Sequence, residues 1–441
     1  MPSTLRSTLV ASLLALASRP LHAQDADTTS LAAQIRALQA RVAQLEHRQS
    51  RSDSTATPMT GQAAGPRGFY VRNADGSFQV RLRGQVQTDA RLVAGEPPSA
   101  TTMLLRTARP MLEMTAYRIL DARFVPDFGQ GVALVQDAHV DVRARPWFAV
   151  RAGKFKAPLG LERIQSEADI VFVERGMPSY LVPQRDLGVQ AYGDVRSGLV
   201  AYAIGVFNGS PDYSTADLDN GSQKDVDGRV FLQPFTKSAN ALKGLGVGFG
   251  ASRGQQYGAL GATAMPTYRT PAQVTVFSYR ATTIASGTRS RINPQAYWYG
   301  GPVGLLAEYV RSSQDVAMDS TATATISNSA WGVQANYVLT GENATFRSVS
   351  PTHPVGTGGR GALEIGARVG ELDIDGGAFP TFADPAAAPR AIKTVGAVVT
   401  WYFAPGIKLA TELDQTSFTG GAGTGNRRTE HAALIRLQHA F

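Results

Sequence analysis

Residues 78–92, with the sequence FQVRLRGQVQTDARL, alternate between apolar and polar side chains. One side of the stretch carries Phe78, Val80, Leu82, Val86, Ala90 and Leu92, and the other carries Gln79, Arg81, Arg83, Gln85, Gln87, Asp89 and Arg91. A period of two is typical of a β-strand, but strands of globular proteins are usually about 5 to 6 residues long, whereas membrane-spanning strands need about 9 to 11. The stretch therefore predicts a strand that spans a membrane, with one face toward lipid and the other toward a polar interior.

Residues 1–23 have the features of a secretory signal: Arg6, an apolar run from Leu9 to Ala17, and the small-residue site Leu21-His22-Ala23. After them the sequence contains no apolar run of about 18 residues, which excludes an ordinary transmembrane helix. A closed β-barrel is the other structure that can span a bilayer. The chain has no cysteine, so it has neither a disulfide framework nor a thiolate metal site, and its formal net charge is +8.

The connections between candidate strands differ in length. Short turns are predicted at Arg145-Pro146, Arg196-Ser197-Gly198, Gly300-Gly301-Pro302 and Ala404-Pro405-Gly406, and long polar loops at 209–228, 312–328, 341–360, 376–390 and 416–428. Outer-membrane barrels have short periplasmic turns and long external loops. If a hairpin takes two strands of about 10 residues, one turn and a loop of about 15 to 20, residues 68–441 hold about eight hairpins. We therefore predict an all-β protein, a transmembrane antiparallel barrel of about 16 strands.

Aromatic residues support this prediction. The clusters Tyr297-Trp298-Tyr299 and Trp401-Tyr402-Phe403 adjoin predicted short turns, where barrels carry a belt of aromatic side chains at the membrane interface. The chain ends on Phe441, in a strand with Leu437, Ile435 and Ala433 on the same face. A terminal aromatic strand resembles the assembly signal of bacterial outer-membrane barrels.

Residues 24–49 form a different kind of segment. Leu31, Ile35, Leu38, Val42 and Leu45 recur at alternating steps of four and three residues, which predicts a short periplasmic coiled-coil helix. A lone amphipathic helix is the alternative. Residues 50–67 are rich in Ser, Thr, Gly, Ala and Pro and are predicted to be a flexible linker to the barrel at 68–441.

The stretch 151–195 interrupts strand-like alternation with a long basic insertion, predicted to be a constriction loop at about 156–187 that folds into the pore. Positive charge in a narrow tube of low dielectric constant attracts anions and repels cations. The candidate anion-binding residues are Lys154, Lys156, Arg163, Arg175 and Arg185, and the candidate lumen-lining residues are Arg81, Arg83 and Arg109. Alternatively, the loop cations form structural ion pairs with Glu162, Glu167, Asp169, Glu174 and Asp186. Both interpretations can hold together.

Other motifs are weak. Asp137, His139 and Asp141 alternate onto one strand face and could hold a cation, but a polar lumen wall explains them better. The aspartates of residues 212–227 do not keep the EF-hand spacing, and calcium or a lipopolysaccharide-bridging cation there is a minor alternative. The sequence has no GxSxG, HExxH or GxxxxGK[ST] motif. We therefore expect no catalytic site, no metal and no cofactor.

Several runs resemble the phosphate-selective porin O/P family. They are RPMLEMTAYRILDARFVPDFG (109–129), QDAHVDVRARPWFAVRAGKFKAPLGLER (136–163), ERGMPSYLVPQRDLGVQ (174–190), LTGENATF (339–346) and GALEIGARVGELDID (361–375). The resemblance implies a 16-stranded homotrimeric outer-membrane porin that passes anions, in some members phosphate or polyphosphate. It places Arg163 and Arg175 at the basic pair of the constriction loop, with Arg163 in place of the family's lysine and Glu167 in place of a serine.

The sequence thus predicts a passive, anion-preferring porin in the outer membrane of a Gram-negative-type bacterium. Its expected partners are small anions, membrane lipid, lipopolysaccharide and two further copies of the chain, but not nucleic acid. Three alternatives stay open: a barrel that mainly tethers envelope layers or mediates adhesion, a barrel-borne membrane hydrolase, and a soluble secreted β-protein.

Overall fold

The computed structural model describes residues 33, 36–44, 59–63, 68–95, 101–215, 217, 222–238, 240–318 and 322–441. The chain divides into two units, Met1–Pro58 and Met59–Phe441. In the first, residues 36–44 are helical, and Leu38 and Val42 of the predicted seam are exposed. The signal segment 1–23 and the other seam residues lie outside the described residues, so the signal and the coiled coil stay predictions.

The second unit consists mainly of β-strands. In chain order they are β1 (Met59–Ala63), β2 (Phe69–Asn73), β3 (Phe78–Ala94), β4 (Thr101–Ala116), β5 (Leu120–Asp127), β6 (Leu134–Arg145), β7 (Phe148–Phe155), β8 (Asp186–Val195), β9 (Val200–Phe207), β10 (Asp225–Leu232), β11 (Leu245–Tyr257), β12 (Thr267–Arg269), β13 (Thr275–Ser278), β14 (Thr283–Gly300), β15 (Val303–Met318), β16 (Ala322–Val338), β17 (Ala362–Asp373), β18 (Pro389–Ala404), β19 (Ile407–Gly420) and β20 (Glu430–Ala440). A one-turn α-helix occupies Leu161–Ile164, and 3₁₀ turns occupy Gly129–Gly131, Met177–Leu181, Ala241–Gly244 and Gly376–Ala378. None of the helices in the described ranges has the length and apolar character needed to cross a membrane.

Sixteen of these strands, β3–β11 and β14–β20, form a closed antiparallel barrel. Each pairs with the next, and β20 closes the barrel by pairing with β3 from His431↔Ala94 to Ala440↔Gln85. The predicted fold class and strand number are therefore confirmed. β12 and β13 form a separate hairpin, while β2 pairs with the start of β3 and β1 pairs with β2. β1 falls inside the segment predicted to be a flexible linker.

Strand alternation sets the two faces of the barrel wall. On β3 the apolar side chains of Val80, Leu82 and Val86 are exposed outward, whereas Gln85 and Gln87 are buried inside. An apolar outer face and a polar inner face are what a barrel needs in a bilayer. The predicted faces of residues 78–92 agree with this arrangement.

Two of the predicted loops are wrong. Residues 312–328 mostly continue β15 and β16, whose register pairs Ser312 with Asn328 and Asp315 with Thr325, because small polar side chains are tolerated along the paired strands. The segment 341–360 joins β16 to β17 at the end of the barrel that carries the short turns, since each strand reverses direction. It is therefore a long connection at the predicted short-turn end, and not an external loop.

Strand alternation places neighbouring members of each aromatic cluster on opposite faces of the barrel wall. Trp401 is exposed on the outer face, but Tyr402 is buried inside and donates its hydroxyl to Glu364 Oε2 at 2.5 Å. Tyr297 stacks on Phe346 with ring centroids 5.2 Å apart. Since neighbouring residues of a strand point to opposite faces, only part of each cluster can belong to an interfacial belt.

Candidate functional site

The connection between β7 and β8, residues 156–185, folds across the barrel lumen. The Gly160 and Leu161 N–H groups donate to Asn293 Oδ1 at 2.9 Å and Glu308 Oε1 at 2.6 Å, on β14 and β15. Farther along, Lys408 Nζ on β19 donates to the Ile170 carbonyl at 2.7 Å. β15 and β19 each lie six strands from β7, in opposite directions around the barrel. The segment therefore reaches the far wall; we call it the lumen loop.

Apolar contacts hold the lumen loop in place as well. Its residues Val171, Phe172 and Val173 are buried in one cluster with wall residues that include Val398 and Leu434. A second cluster joins loop residues with inward-facing wall residues: Leu159, Met177, Tyr180, Leu181, Val182, Val310, Val316, Ile326, Ala330 and Leu372. Burial of apolar area is the main favourable contribution to holding such a segment in a fixed position.

Among the described residues, two large cavities lie beside the lumen loop. The turn-side cavity, of about 840 Å³, reaches toward the short turns, where Arg143, Asp194 and Tyr202 line it. The loop-side cavity, of about 440 Å³, reaches toward the opposite end, where Gln130 and Gln273 line it. Of the residues that the structure describes, Arg109 and Glu167 line both cavities. These side chains therefore mark the junction between the two halves of the lumen.

The predicted basic residues are distributed over these cavities. Arg163 and Arg175 line the loop-side cavity, whereas Lys156, Arg185 and Arg81 line the turn-side cavity. Lys154 and Arg83 line neither of the two. Lys154 Nζ contacts Asp217, and Arg83 Nη1 lies 3.5 Å from Glu113 Oε1. The structure thus brings the predicted pair Arg163 and Arg175 to one cavity and places Arg109 at its boundary.

Most of the predicted cations have carboxylate partners. Arg175 Nη1 donates to Glu167 Oε1 at 3.1 Å, and Arg185 Nε donates to Asp137 Oδ1 at 3.1 Å. Arg109 Nε donates to Asp127 Oδ2 at 2.7 Å, and its Nη1 contacts Glu167 Oε2. Ion pairs of this kind are expected from the alternative interpretation, in which the loop cations belong to a structural network.

Arg163 and Lys156 differ from the other candidate anion-binding residues, Lys154, Arg175 and Arg185, because neither has a carboxylate partner among the described residues. Arg163 Nη2 donates to the Ser179 carbonyl at 2.9 Å, and the guanidinium lies 5.3 Å from the ring centroid of Tyr213. Its Nε is buried and has no hydrogen-bond partner in the part of the chain that the structure describes. Lys156 Nζ donates to the Gln165 carbonyl at 2.8 Å. Neither residue is therefore directly paired with an acid, although the Glu167 carboxylate acts electrostatically on both.

Burial and neighbouring charges shift the pKa values of Arg163, Lys156 and Glu167. Burial and the neighbouring Arg175 lower the pKa of Arg163 to about 10. Burial, Arg175 and Arg185 together lower the pKa of Lys156 well below its usual value. Although burial opposes ionisation of Glu167, Arg109 and Arg175 hold the pKa of its carboxyl well below its usual range, so this carboxylate is charged at neutral pH.

The five acidic residues of the predicted network, four in the lumen loop and Asp186 at the start of β8, have roles that the sequence did not predict. Among them only Glu167 pairs with a cation of the loop. Glu174 binds three arginines of the wall, Arg91 at 2.7 Å, Arg106 at 2.9 Å and Arg436 at 3.2 Å. The other three accept backbone N–H groups: Glu162 from Gly176, Asp169 from Ser348, and Asp186 from Gly209 and Ser210.

Four further arginines that the sequence does not single out lie inside the barrel: Arg106, Arg229, Arg368 and Arg436. Arg368 and Arg436 lie on β17 and β20 and bind loop carbonyls, while Arg229 lines the turn-side cavity and donates to Gln295 Oε1 at 3.0 Å. Alternation along each strand could have placed them on the inner face. It could not show which of them reach the loop, because that depends on how the strands are ordered around the barrel.

In the remaining candidate motifs, aspartates form ion pairs with arginines. Asp141 Oδ1 accepts from Arg151 Nε at 2.7 Å, and with Asp137 and His139 it lines the turn-side cavity. In the acidic segment, Asp212 and Asp225 pair with Arg291; Asp219 lies outside the described residues. Within the part of the chain that the structure describes, no group of three or more His, Cys, Asp or Glu side chains is placed to hold a metal ion.

Comparison with known proteins identifies the family. The model of the family described as phosphate-selective porin O and P matches residues 78–441. No curated protein matches the sequence.

Solved structures share the fold at low sequence identity. The outer membrane channel DcaP of Acinetobacter baumannii is 11% identical with a TM-score of 0.55, over 85% of this chain and 99% of that chain. The anion-selective porin from Comamonas acidovorans is 14% identical with a TM-score of 0.53, over 82% and 100%. The trimer form of OmpT, an outer membrane protein of Vibrio cholerae, is 14% identical with a TM-score of 0.50, over 83% and 100%.

Proposed function

The chain belongs to the phosphate-selective porin O and P family, and on that premise we propose that it forms an anion-preferring diffusion channel for small solutes in the bacterial outer membrane. It is a channel, not an enzyme. The observation that carries the anion preference is Arg163, a buried guanidinium beside the loop-side cavity with no acid partner in the described part of the chain. Arg175 lines the same cavity.

A cation that is not paired with a carboxylate attracts or repels every ion that passes through a narrow lumen. Its field is weakly screened, because the barrel wall has a low dielectric constant. Anions are concentrated beside it and cations are repelled, so the charge changes selectivity without a conformational change. Lys156 lines the turn-side cavity and has the same effect there when its ammonium group is protonated.

Inorganic phosphate and polyphosphate are among the solutes we propose. Arginine presents several N–H donors in a plane and can bind two oxygens of a phosphate group. Arg163 and Arg175 are positioned around one cavity, and the family name describes phosphate selectivity. We also propose that the protein is a homotrimer surrounded by membrane lipid and lipopolysaccharide, as the trimer form of the structurally similar OmpT suggests.

The test is a reversal-potential measurement across a planar bilayer with a salt gradient. We expect the sign that indicates anion preference. Substituting Arg163→Glu and Arg175→Glu together should shift the potential toward cation preference by tens of millivolts, because two positive charges become negative. A cation-selective wild-type channel would refute the proposal. An unchanged potential in the double variant would remove this pair from the selectivity-determining residues.

A further inference from the structure

Glu167 occupies an unusual position in the lumen. It lines both cavities together with Arg109, and its side chain is buried. Each of its carboxylate oxygens is bound by a different arginine: Oε1 accepts from Arg175 Nη1 at 3.1 Å, and Oε2 contacts Arg109 Nη1. One arginine comes from the lumen loop and the other from β4 of the wall. The carboxylate therefore bridges loop and wall at the point where the two cavities meet.

We propose that Glu167 is a tethered anion, which occupies an oxyanion-binding site formed by Arg109 and Arg175 and must be replaced there by a permeating oxyanion. This inference rests on the proposed function as an anion-preferring channel. In this arrangement the glutamate lowers the affinity of the site for the permeating oxyanion. Without the glutamate, the two arginines would bind the oxyanion too tightly to release it.

The two arginines are held in place without Glu167. Arg109 Nε is bound by Asp127 Oδ2 at 2.7 Å. Arg175 Nε donates to the Glu162 carbonyl at 3.0 Å, and its Nη2 donates to the Gln165 carbonyl at 2.9 Å. Each guanidinium therefore keeps its orientation and still has an Nη1 group free to donate when the glutamate side chain moves away. Such a preorganised pair of donors needs little rearrangement to bind a ligand.

The geometry also indicates the class of ligand. The two arginines each bind one oxygen of the same carboxylate. A solute that presents two acceptor oxygens on one atom, such as phosphate or a carboxylate, can reproduce both contacts. A chloride ion has no second acceptor atom to place on the other guanidinium. Oxyanions should therefore compete with Glu167 more effectively than chloride does.

Conduction by the Glu167→Gln variant tests the proposal. The matched control is Asp169→Asn, which removes one carboxylate from the same loop at a side chain that accepts a hydrogen bond from the Ser348 N–H and does not contact Arg109 or Arg175. Channels in planar bilayers are titrated with inorganic phosphate, and the current is fitted for its half-saturation concentration. For Glu167→Gln we expect that concentration to fall by at least about threefold, because phosphate no longer displaces a charged competitor. The Asp169→Asn channel should stay close to wild type.

Permeability ratios measured in chloride and in phosphate distinguish a general effect of charge from a specific effect on oxyanion binding. The anion-to-cation permeability ratio in chloride should rise in Glu167→Gln, but the gain should be larger in phosphate. If Glu167→Gln matches Asp169→Asn in both anions, the inference is overturned. A cation-selective wild-type channel would contradict the proposed function, and a larger phosphate gain in Glu167→Gln than in Asp169→Asn would still support the role of Glu167.

A folding defect is tested separately. The variants should keep the heat-resistant migration of the wild-type barrel in gel electrophoresis. If Glu167→Gln does not assemble, Glu167→Asp replaces it, because a shorter carboxylate keeps the charge but cannot reach both arginines as well. We then expect an intermediate decrease in the half-saturation concentration, and no decrease would overturn the inference.

Discussion

At the scale of single residues, the charges of the lumen fall into two groups. Arg109, Arg175 and Arg185 have carboxylate partners that offset their charge locally. Arg163 and Lys156 bind only backbone carbonyls among the described residues, so their fields reach into the cavities. Residue type alone cannot make this distinction. We therefore expect the second group to contribute most to the proposed anion preference, and the first group to contribute less to it while also holding the lumen loop in position.

The environment of Lys156 predicts a pH dependence. Burial, Arg175 and Arg185 lower its pKa well below the usual value, while the charges of Glu167 and Asp137 partly oppose this shift. As the pH rises through the lowered pKa, the ammonium loses its proton and the turn-side cavity loses one positive charge. The anion-to-cation permeability ratio should therefore decrease at pH values at which an ordinary lysine, with a pKa of about 10.4, is still charged.

The control is Lys156→Arg, because a guanidinium keeps its proton to higher pH than an ammonium group in the same place. Reversal potentials are recorded at pH steps from mildly acidic to alkaline in the same salt gradient. We expect a decline in wild type that is absent or much smaller in the arginine variant. Identical profiles in the two channels would show that another group is responsible.

The sequence predicts residue types well and their partners poorly. The basic loop residues and the inward face of β3 followed from alternation and composition, because these are local properties of the chain. The partners of Glu174, in contrast, are Arg91, Arg106 and Arg436, which lie on three strands far apart in sequence. Which side chains meet across a lumen depends on strand order and register, and neither can be read from a single strand.

At the scale of elements, the transition from strand to lumen loop takes place at β7. Gly153 pairs with His139 of β6 and Gly188 of β8, two residues before the strand ends. Its φ of 127° lies in a region that side-chain-bearing residues avoid. A Cβ atom at this position would lie 2.2 Å from the Ala138 carbonyl oxygen and 2.8 Å from the His139 Cα. A neighbouring strand therefore leaves no space for one.

Gly153→Ala should destabilise the barrel at the base of the lumen loop. The cost combines backbone strain with displacement of β6, and we expect it to be on the order of 1–3 kcal/mol. The control is Gly228→Ala on β10, where the nearest atom to an added Cβ is the Ala203 carbonyl oxygen at 3.9 Å. Thermal unfolding of both variants is followed by circular dichroism. A lower midpoint is expected for Gly153→Ala alone, and equal midpoints would contradict the predicted strain.

At this scale, the length of a connection predicted its end of the barrel less well than residue alternation predicted the faces of the strands. The segment 339–361 is long, yet the reversal of each successive strand places it at the short-turn end. There it reaches the lumen loop: the Gln165 side chain donates to the Phe346 carbonyl at 2.7 Å, and the Ser348 N–H donates to Asp169 Oδ1 at 3.1 Å. Its polar, glycine-rich composition is that of any exposed loop. Composition therefore cannot reveal that it contacts the lumen loop.

At the scale of the whole molecule, the barrel closes on itself through its first and last wall strands. Phe441 and Gly84 exchange two backbone hydrogen bonds, of 2.9 and 3.0 Å, where β20 meets β3. The strand number followed from the sequence because chain length and hairpin size limit it. Within the unit Met59–Phe441, closure uses only pairs between its own strands. The hydrogen bonds described for the barrel wall thus do not depend on residues before Met59.

Removing residues 24–58 should therefore leave the conducting barrel intact. We expect the truncated protein, which keeps residues 1–23 for export, to show the single-channel conductance and reversal potential of the full chain, because β1–β20 and the lumen loop are all retained. The same variant tests the alternative role in tethering the envelope. If residues 24–58 bind another envelope layer, cells that carry the truncated protein should release periplasmic enzymes while conductance stays normal. A loss of conductance would instead show that this segment contributes to the channel, and that closure of the barrel alone is not sufficient to form the pore.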